Sequence, residues 1–172
     1  RAQQRELPLK LRNVFAFFSI YANIDGFDPA DEACRRGRRP AASRALVDRW
    51  ILSELALVNA RVIEFMDAYR LYESTLVLTD FVDALSNWWV RRNRDRFWAP
   101  GLSPDKLDAH WTLWETLVAL AKLLAPFLPY ASEEIWQNLV RRPLPDVVED
   151  TANTGIYTLS VHDAIEIWDN YL

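Results

Sequence analysis

Four arginines fall within six residues and tryptophan stands on both sides of them, in the run Asn87-Trp88-Trp89-Val90-Arg91-Arg92-Asn93-Arg94-Asp95-Arg96-Phe97-Trp98. A guanidinium fork matches phosphate oxygens and base edges, and an aromatic face stacks on an unpaired base. RNA binding is therefore one chemistry the run offers. On spacing alone it also reads as the end of a long bundle helix, core aromatics followed by a solvated charged turn. The residues by themselves leave both readings open.

Other chemistries find less support. His110 lies beside Trp111 in a predicted helix and is expected at the surface or in a capping role. His162 has Asp163 and Glu166 nearby but no cysteine or second histidine at metal-ligand spacing. Ser86 and Ser132 lack a His–Asp partnership, so a hydrolase triad is unsupported. Glu133 and Glu134 sit at a predicted helix start, where capping and the helix dipole account for them. There is no Gly-rich phosphate loop, and the single cysteine, Cys34, excludes an internal disulfide or a multi-cysteine zinc site.

Helices must position these groups. Leu7–Asn23 reads as a first helix, with Pro8 tolerated in its first turn. Asp25-Gly26 and Asp28-Pro29 stop it. Residues 30–43 carry Arg35-Arg36-Gly37-Arg38-Arg39-Pro40 and are expected in a loop, either a solubilising excursion or a contact to RNA backbone. A second helix spans Ala45–Ala68, where Leu46, Trp50, Leu52, Leu55, Val58, Val62, Phe65 and Met66 fall near a 3.6-residue period. A break at Tyr69-Arg70 leads to a third, Leu71–Phe97, about 40 Å long at ~1.5 Å per residue. One end of it can pack in a core while the other projects the arginines. Ser103 as N-cap, Pro104 and Asp105 open a fourth, running to Leu124. Ser132-Glu133-Glu134 is read as the cap of a short last helix ending at Leu139 or Val140.

Hydrophobic residues make up 51% and charged residues 26%, an ordinary globular balance, while Gly is scarce and alternating strand patterns are rare. The expected fold is all-α: a bundle of about four long helices plus a short C-terminal one. The net charge of −4 argues against a general nucleic-acid binder, but its distribution is uneven. Residues 143–172 hold six acids and no Lys or Arg, leaving 20 basic against 18 acidic groups elsewhere. Local patches bind polyanions even on an acidic chain. The polar N-terminus carries no signal-peptide pattern, and no apolar run reaches membrane-spanning length. No membrane association is expected, and one cysteine fits a reducing cytoplasm. With no initiating Met, the chain looks like a segment of a longer protein.

The run Leu85–Trp98 resembles the signature helix in the anticodon-binding domain of isoleucyl-tRNA synthetases, a class I aminoacyl-tRNA synthetase family. Three other stretches agree in order. Leu7-Pro8-Leu9 with Asn13, Phe17-Phe18 and Tyr21-Ala22-Asn23 resembles the domain's opening helix, and Asp48-Arg49-Trp50-Ile51-Leu52-Ser53-Glu54-Leu55 the start of its second. Ala125-Pro126-Phe127-Leu128-Pro129 with Glu133-Glu134-Ile135-Trp136 resembles its C-terminal hairpin. The resemblance covers roughly residues 7–140. Valyl and leucyl relatives are more acidic around the aromatic pair, which favours the isoleucyl branch. It implies a domain that binds the anticodon stem-loop of an isoleucine acceptor tRNA, as a monomer, beside a catalytic domain of the same parent chain. Arg91, Arg92, Arg94 and Arg96 become the expected phosphate or base-edge contacts, and Trp88 or Trp98 the stacking partner; Trp89 is expected in the core. Asn87 either reads a base edge or bonds within the bundle, and Asn13 and Arg12 are further candidates. Residues 1–142 are expected to form the bundle, and 143–172 an acidic tail leading onward. Both ATP-site signatures of class I synthetases are absent, so ATP and Mg are implied for the parent enzyme, and for this segment neither cofactor nor aminoacylation. The rival readings are a valyl or leucyl anticodon domain, or a protein-interaction bundle whose tryptophans are all buried.

Overall fold

Pro8 at the start and Gly26 at the end bracket the first helix, α1 (Gln3–Asp25), in a computed structural model that describes residues 3–144. Every regular element among these residues is helical. The rest are a short α2 (Glu32–Arg36), a 3-10 turn (Ala41–Ser43), α3 (Leu46–Asp67), α4 (Leu71–Asp83), a π-helical segment (Ala84–Val90), α5 (Arg91–Trp98), α6 (Pro104–Leu124), α7 (Pro129–Trp136) and a second π segment (Gln137–Arg141). α4, the first π segment and α5 follow without a break and form the expected third helix, Leu71–Trp98. The all-α expectation holds, with four long helices and a short one after them. The acidic stretch from residue 145 lies outside the described residues.

The chain divides into two compact units, with the boundary inside α6. In the first (residues 1–113) the sequence periodicities become a core: Leu11, Val14 and Phe18 from α1, Ile51, Leu55 and Val62 from α3, Leu78, Phe81 and Leu85 from the third helix, all buried. Burial at about 25 cal/mol per Å² of apolar surface is what draws these stripes together. Tyr69 makes the α3–α4 turn with φ of 57°, a left-handed conformation unusual for a residue with a side chain. Leu46, counted into the apolar stripe of α3, occupies its first position and is exposed. In the second unit, Leu117, Leu120, Ala121 and Leu124 of α6 and Ile135, Trp136 and Leu139 beyond it are buried, and Trp114 Nε1 donates to the Leu139 carbonyl at 3.0 Å. α7 begins three residues before the expected cap: Pro129 sits in its first turn and Ser132 lies inside it, buried. Pro fixes its own φ at a helical value, so the proline opens the helix that the Ser-Glu-Glu pattern seemed to start.

The Arg35–Arg44 stretch is not a solvated loop. Arg39 forks onto the fully buried Asp108, with Nε bonding both carboxylate oxygens at 3.1 and 2.9 Å. Arg44 is buried, donating to the Arg39 carbonyl and to Thr112 at 3.0 and 3.1 Å. The Arg38 guanidinium lies 5.2 Å over the Trp111 ring. The basic cluster thus ties the α2 region to the first turns of α6. Arg35 and Arg36 alone of the five remain exposed.

His110 is likewise interior, against the expectation of a surface or capping role. Its Nε2 lies 2.8 Å from Asp25, whose other oxygen takes Lys106 Nζ at 2.5 Å, and Phe27 stacks on its ring at 5.1 Å. Burial pushes the imidazole below its ordinary pKa of 6.5; Asp25 opposes the shift and Lys106 adds to it. A buried acid at the end of α1 therefore draws in two side chains one turn apart on α6.

Candidate nucleic-acid interface

Buried positions in the third helix recur every four residues at its business end: Phe81, Leu85, Trp89, Asn93, Phe97. In an α-helix a strict four-residue repeat drifts by about 40° per step and would spiral off the core. The π segment, with more residues per turn, absorbs that drift over Ala84–Val90. α5 consequently keeps Asn93 and Phe97 facing inward and turns the arginines between them outward.

Arg91, Arg92 and Arg94 are exposed, and no carboxylate among the described residues pairs with them. Arg92 leans over the Trp88 ring at 4.7 Å. Trp88 is 37% exposed and packs on Trp50 of α3, ring centroids 4.3 Å apart and tilted by 56°. Arg94 stands one turn before Trp98, which is 58% exposed and whose Nε1 donates to Tyr21 Oη at 2.6 Å. The aromatics are thus anchored from behind while part of each ring meets solvent, one held by α3 and the other by α1. Asp95 is also exposed in the patch and subtracts one charge from it.

Arg96 is separated from the other three. Its guanidinium faces inward, 16% exposed, and takes both oxygens of the buried Asp48 at 2.9 Å through Nη1 and Nη2. Nε and Nη2 also bond the Asp105 carboxylate at 2.8 and 2.9 Å, and Nη1 bonds Asn93 Oδ1 at 2.7 Å. Burial pushes the Asp48 carboxyl above its ordinary value, and the Arg96 fork pulls against that.

The remaining candidates divide. Asn87 is exposed and its Nδ2 bonds Asp83 at 2.8 Å, so the intrahelical option is taken while its face stays open. Lys10, which pairs with Asp83, and Phe17, which packs edge-on against Phe97, mark the side of α1 that meets the third helix. Asn13 lies between them in sequence and is exposed at the margin of that side. Arg12 is exposed about 150° further round α1 at 3.6 residues per turn, away from the patch. Trp89 is fully buried, as expected. Trp50 and Tyr21, the supports of the two exposed tryptophans, were not singled out from sequence: Trp50 fits the apolar period of α3 and so reads as core.

No group of three or more His, Cys, Asp or Glu side chains among the described residues is arranged to hold a metal. No helix among them is long and apolar enough to cross a membrane.

The family described as anticodon-binding domain of tRNA ligase matches residues 48–168. The chain is similar to an isoleucine–tRNA ligase from Clostridium novyi, 41% identical over 93% of this chain and 15% of that protein. Similar proteins of the same name occur in Dehalococcoides mccartyi strain 195 (43% over 84% of this chain, 14% of that protein) and Thermus thermophilus (41% over 87%, 14% of that protein). The chain thus spans about a seventh of the length of these relatives. With a helical bundle, an exposed arginine patch and this match over most of its length, the chain belongs to the anticodon-binding domain family of tRNA ligases.

Proposed function

We propose that this chain is the part of an isoleucine–tRNA ligase that holds the anticodon stem-loop, with Arg91, Arg92 and Arg94 meeting RNA phosphates or base edges and Trp88 and Trp98 offering faces to unpaired bases. The observation that carries this reading is the selective display on α5. Three guanidinium groups stand in solvent without a partner among the described residues, beside two anchored but accessible indoles. A protein-interaction bundle whose arginines served solubility would have no need to leave two tryptophans open next to them. The names of the relatives favour the isoleucyl branch over the valyl and leucyl ones. Backbone contacts would set affinity and register, and splayed bases identity. Asn87 and Asn13 flank the patch as secondary contacts. Arg12, facing away, and Arg96, already engaged, are left out of direct contact. In this reading the chain acts as a monomer in the cytoplasm, and ATP and Mg serve the catalytic part of the parent chain.

The test is the salt dependence of binding to an isoleucine anticodon stem-loop. Each phosphate contact on single-stranded RNA contributes about 0.7 to the slope of log K against log salt. Arg91→Gln, Arg92→Gln and Arg94→Gln are each expected to flatten the slope by that amount. A wild-type slope in all three variants would refute the assignment.

A further inference from the structure

The one arginine of the run that cannot reach RNA has the most complete set of protein bonds. We infer that Arg96 is a positioning residue: its clamp on Asp48, Asp105 and Asn93 sets the rotation of α5 and so the direction in which Arg91, Arg92 and Arg94 point. This rests on the proposed function above and concerns how that surface is built.

Three elements meet at one guanidinium. Asp48 belongs to the first turn of α3, Asp105 to the first turn of α6, and Asn93 to α5 itself. Besides the carboxylate bonds, Arg96 Nη2 donates to the Asp105 carbonyl at 2.7 Å. Asn93, 2% exposed, passes the constraint on: its Nδ2 donates at 2.8 Å to the carbonyl of Trp89, inside the π segment. The clamp therefore bears on the place where the helix changes its residues per turn. A planar fork with five donors fixes both distance and orientation, whereas an ammonium at the same place fixes distance alone. A helix register held by packing alone can slide between neighbouring settings; a buried bidentate pair leaves one. Asp48 and Asp105 also sit where a carboxylate favours a helix N-terminus, so the clamp joins two helix starts to the middle of α5.

The decisive variant is Arg96→Lys, which conserves charge and removes the fork. If Arg96 positions the patch, the salt slope of stem-loop binding flattens by up to about 2, the share of three phosphate contacts, although no exposed charge has changed. Over ~50 to ~200 mM salt that is roughly an 18-fold loss of salt-dependent affinity. Asp48→Asn, remote from solvent, is expected to act in the same direction. Val62→Ala, a core change away from the clamp, serves as the control for lost stability and is expected to keep the wild-type slope at temperatures below its melt. A wild-type slope in folded Arg96→Lys overturns the inference, as does equal flattening in Val62→Ala. If Arg96→Lys does not fold, Asp105→Asn decides: a folded variant with flattened slope supports the clamp, and one with wild-type slope overturns it. Should Arg91→Gln, Arg92→Gln and Arg94→Gln all keep the wild-type slope, the binding surface itself is misassigned; should they flatten it while the clamp variants do not, only the positioning role falls.

Discussion

Replacing Lys106 by Met would take the positive charge out of the buried group at the end of α1 while filling most of the same volume. The Lys106 side chain is 3% exposed and its ammonium bonds Asp25 at 2.5 Å and the Ala99 carbonyl at 2.8 Å. Asp25, 7% exposed at its side chain, would be left with His110 alone. Breaking a buried pair by removing one partner costs on the order of 3–5 kcal/mol, because the remaining charge stays in a poor solvent. For a chain of this length that corresponds to a fall in Tm of about 6–20 °C. The imidazole supplies a second readout. Lys106 helps to hold His110 below its ordinary value of 6.5, so its pKa should rise in the variant. The sign for stability then follows. In the wild type, His110 is depressed in the folded state, so its contribution is complete above 6.5 and is lost as pH falls towards the folded value. In Lys106→Met the imidazole accepts a proton more readily and replaces the lost charge beside Asp25, so the loss on acidification shrinks. Urea melts on both sides of 6.5, with an NMR titration of the His110 ring, measure the two effects. The reasoning fails if Lys106→Met costs less than about 1 kcal/mol, the cost expected of an exposed ion pair, or if the His110 pKa does not move.

Trp89→Ala should destabilise the chain by roughly 3–5 kcal/mol in denaturant melts, since the ring is fully buried. Trp89→Phe should recover much of that, because the indole N–H has no hydrogen-bond partner to lose. Tyr69→Gly should raise the melting temperature slightly, by up to about 1 kcal/mol in stability, because glycine tolerates the left-handed φ and the Tyr69 ring is exposed. His110→Phe should abolish the part of the acid-side stability loss that lies just below 6.5, as read from melts across that window.

Local periodicity made the helices legible: each long one begins and ends within a few residues of its expectation, because apolar spacing, Pro104 and Gly26 act over single turns. The polar interior was not legible in the same way. Arg39 finds Asp108 and Arg44 finds Thr112 across nearly 70 residues, and nothing in a basic stretch announces partners that far away. Arg96 looks like its neighbours by type and is distinguished by what α3 and α6 bring to it. A signal was nonetheless present. The acids Asp48, Asp105 and Asp108 fall near the starts of two amphipathic helices, and the four-residue repeat Phe81–Leu85–Trp89–Asn93–Phe97 places Asn93 among core residues. A polar residue inside such a repeat requires a partner, and Arg96 is one turn away. His110 escaped for a related reason: nearly every residue at the start of α6 is buried, so the helix has no polar face against which to read it.

The π segment makes the arginine surface unusually sensitive to chain length. Removing any single residue from Ala84–Val90 would let the backbone return to ordinary α-helical hydrogen bonding, at little local cost and perhaps ~1 kcal/mol of gain per residue from better-formed bonds. The cost would appear downstream, where α5 would turn by about 100° and draw back by ~1.5 Å. Phe97 would leave its place against Phe17, and an arginine would swing towards the core in its stead. Most surface helices tolerate a lost residue at their ends. Here a one-codon deletion would act as a rotation, and the length of these seven residues is itself part of the recognition surface.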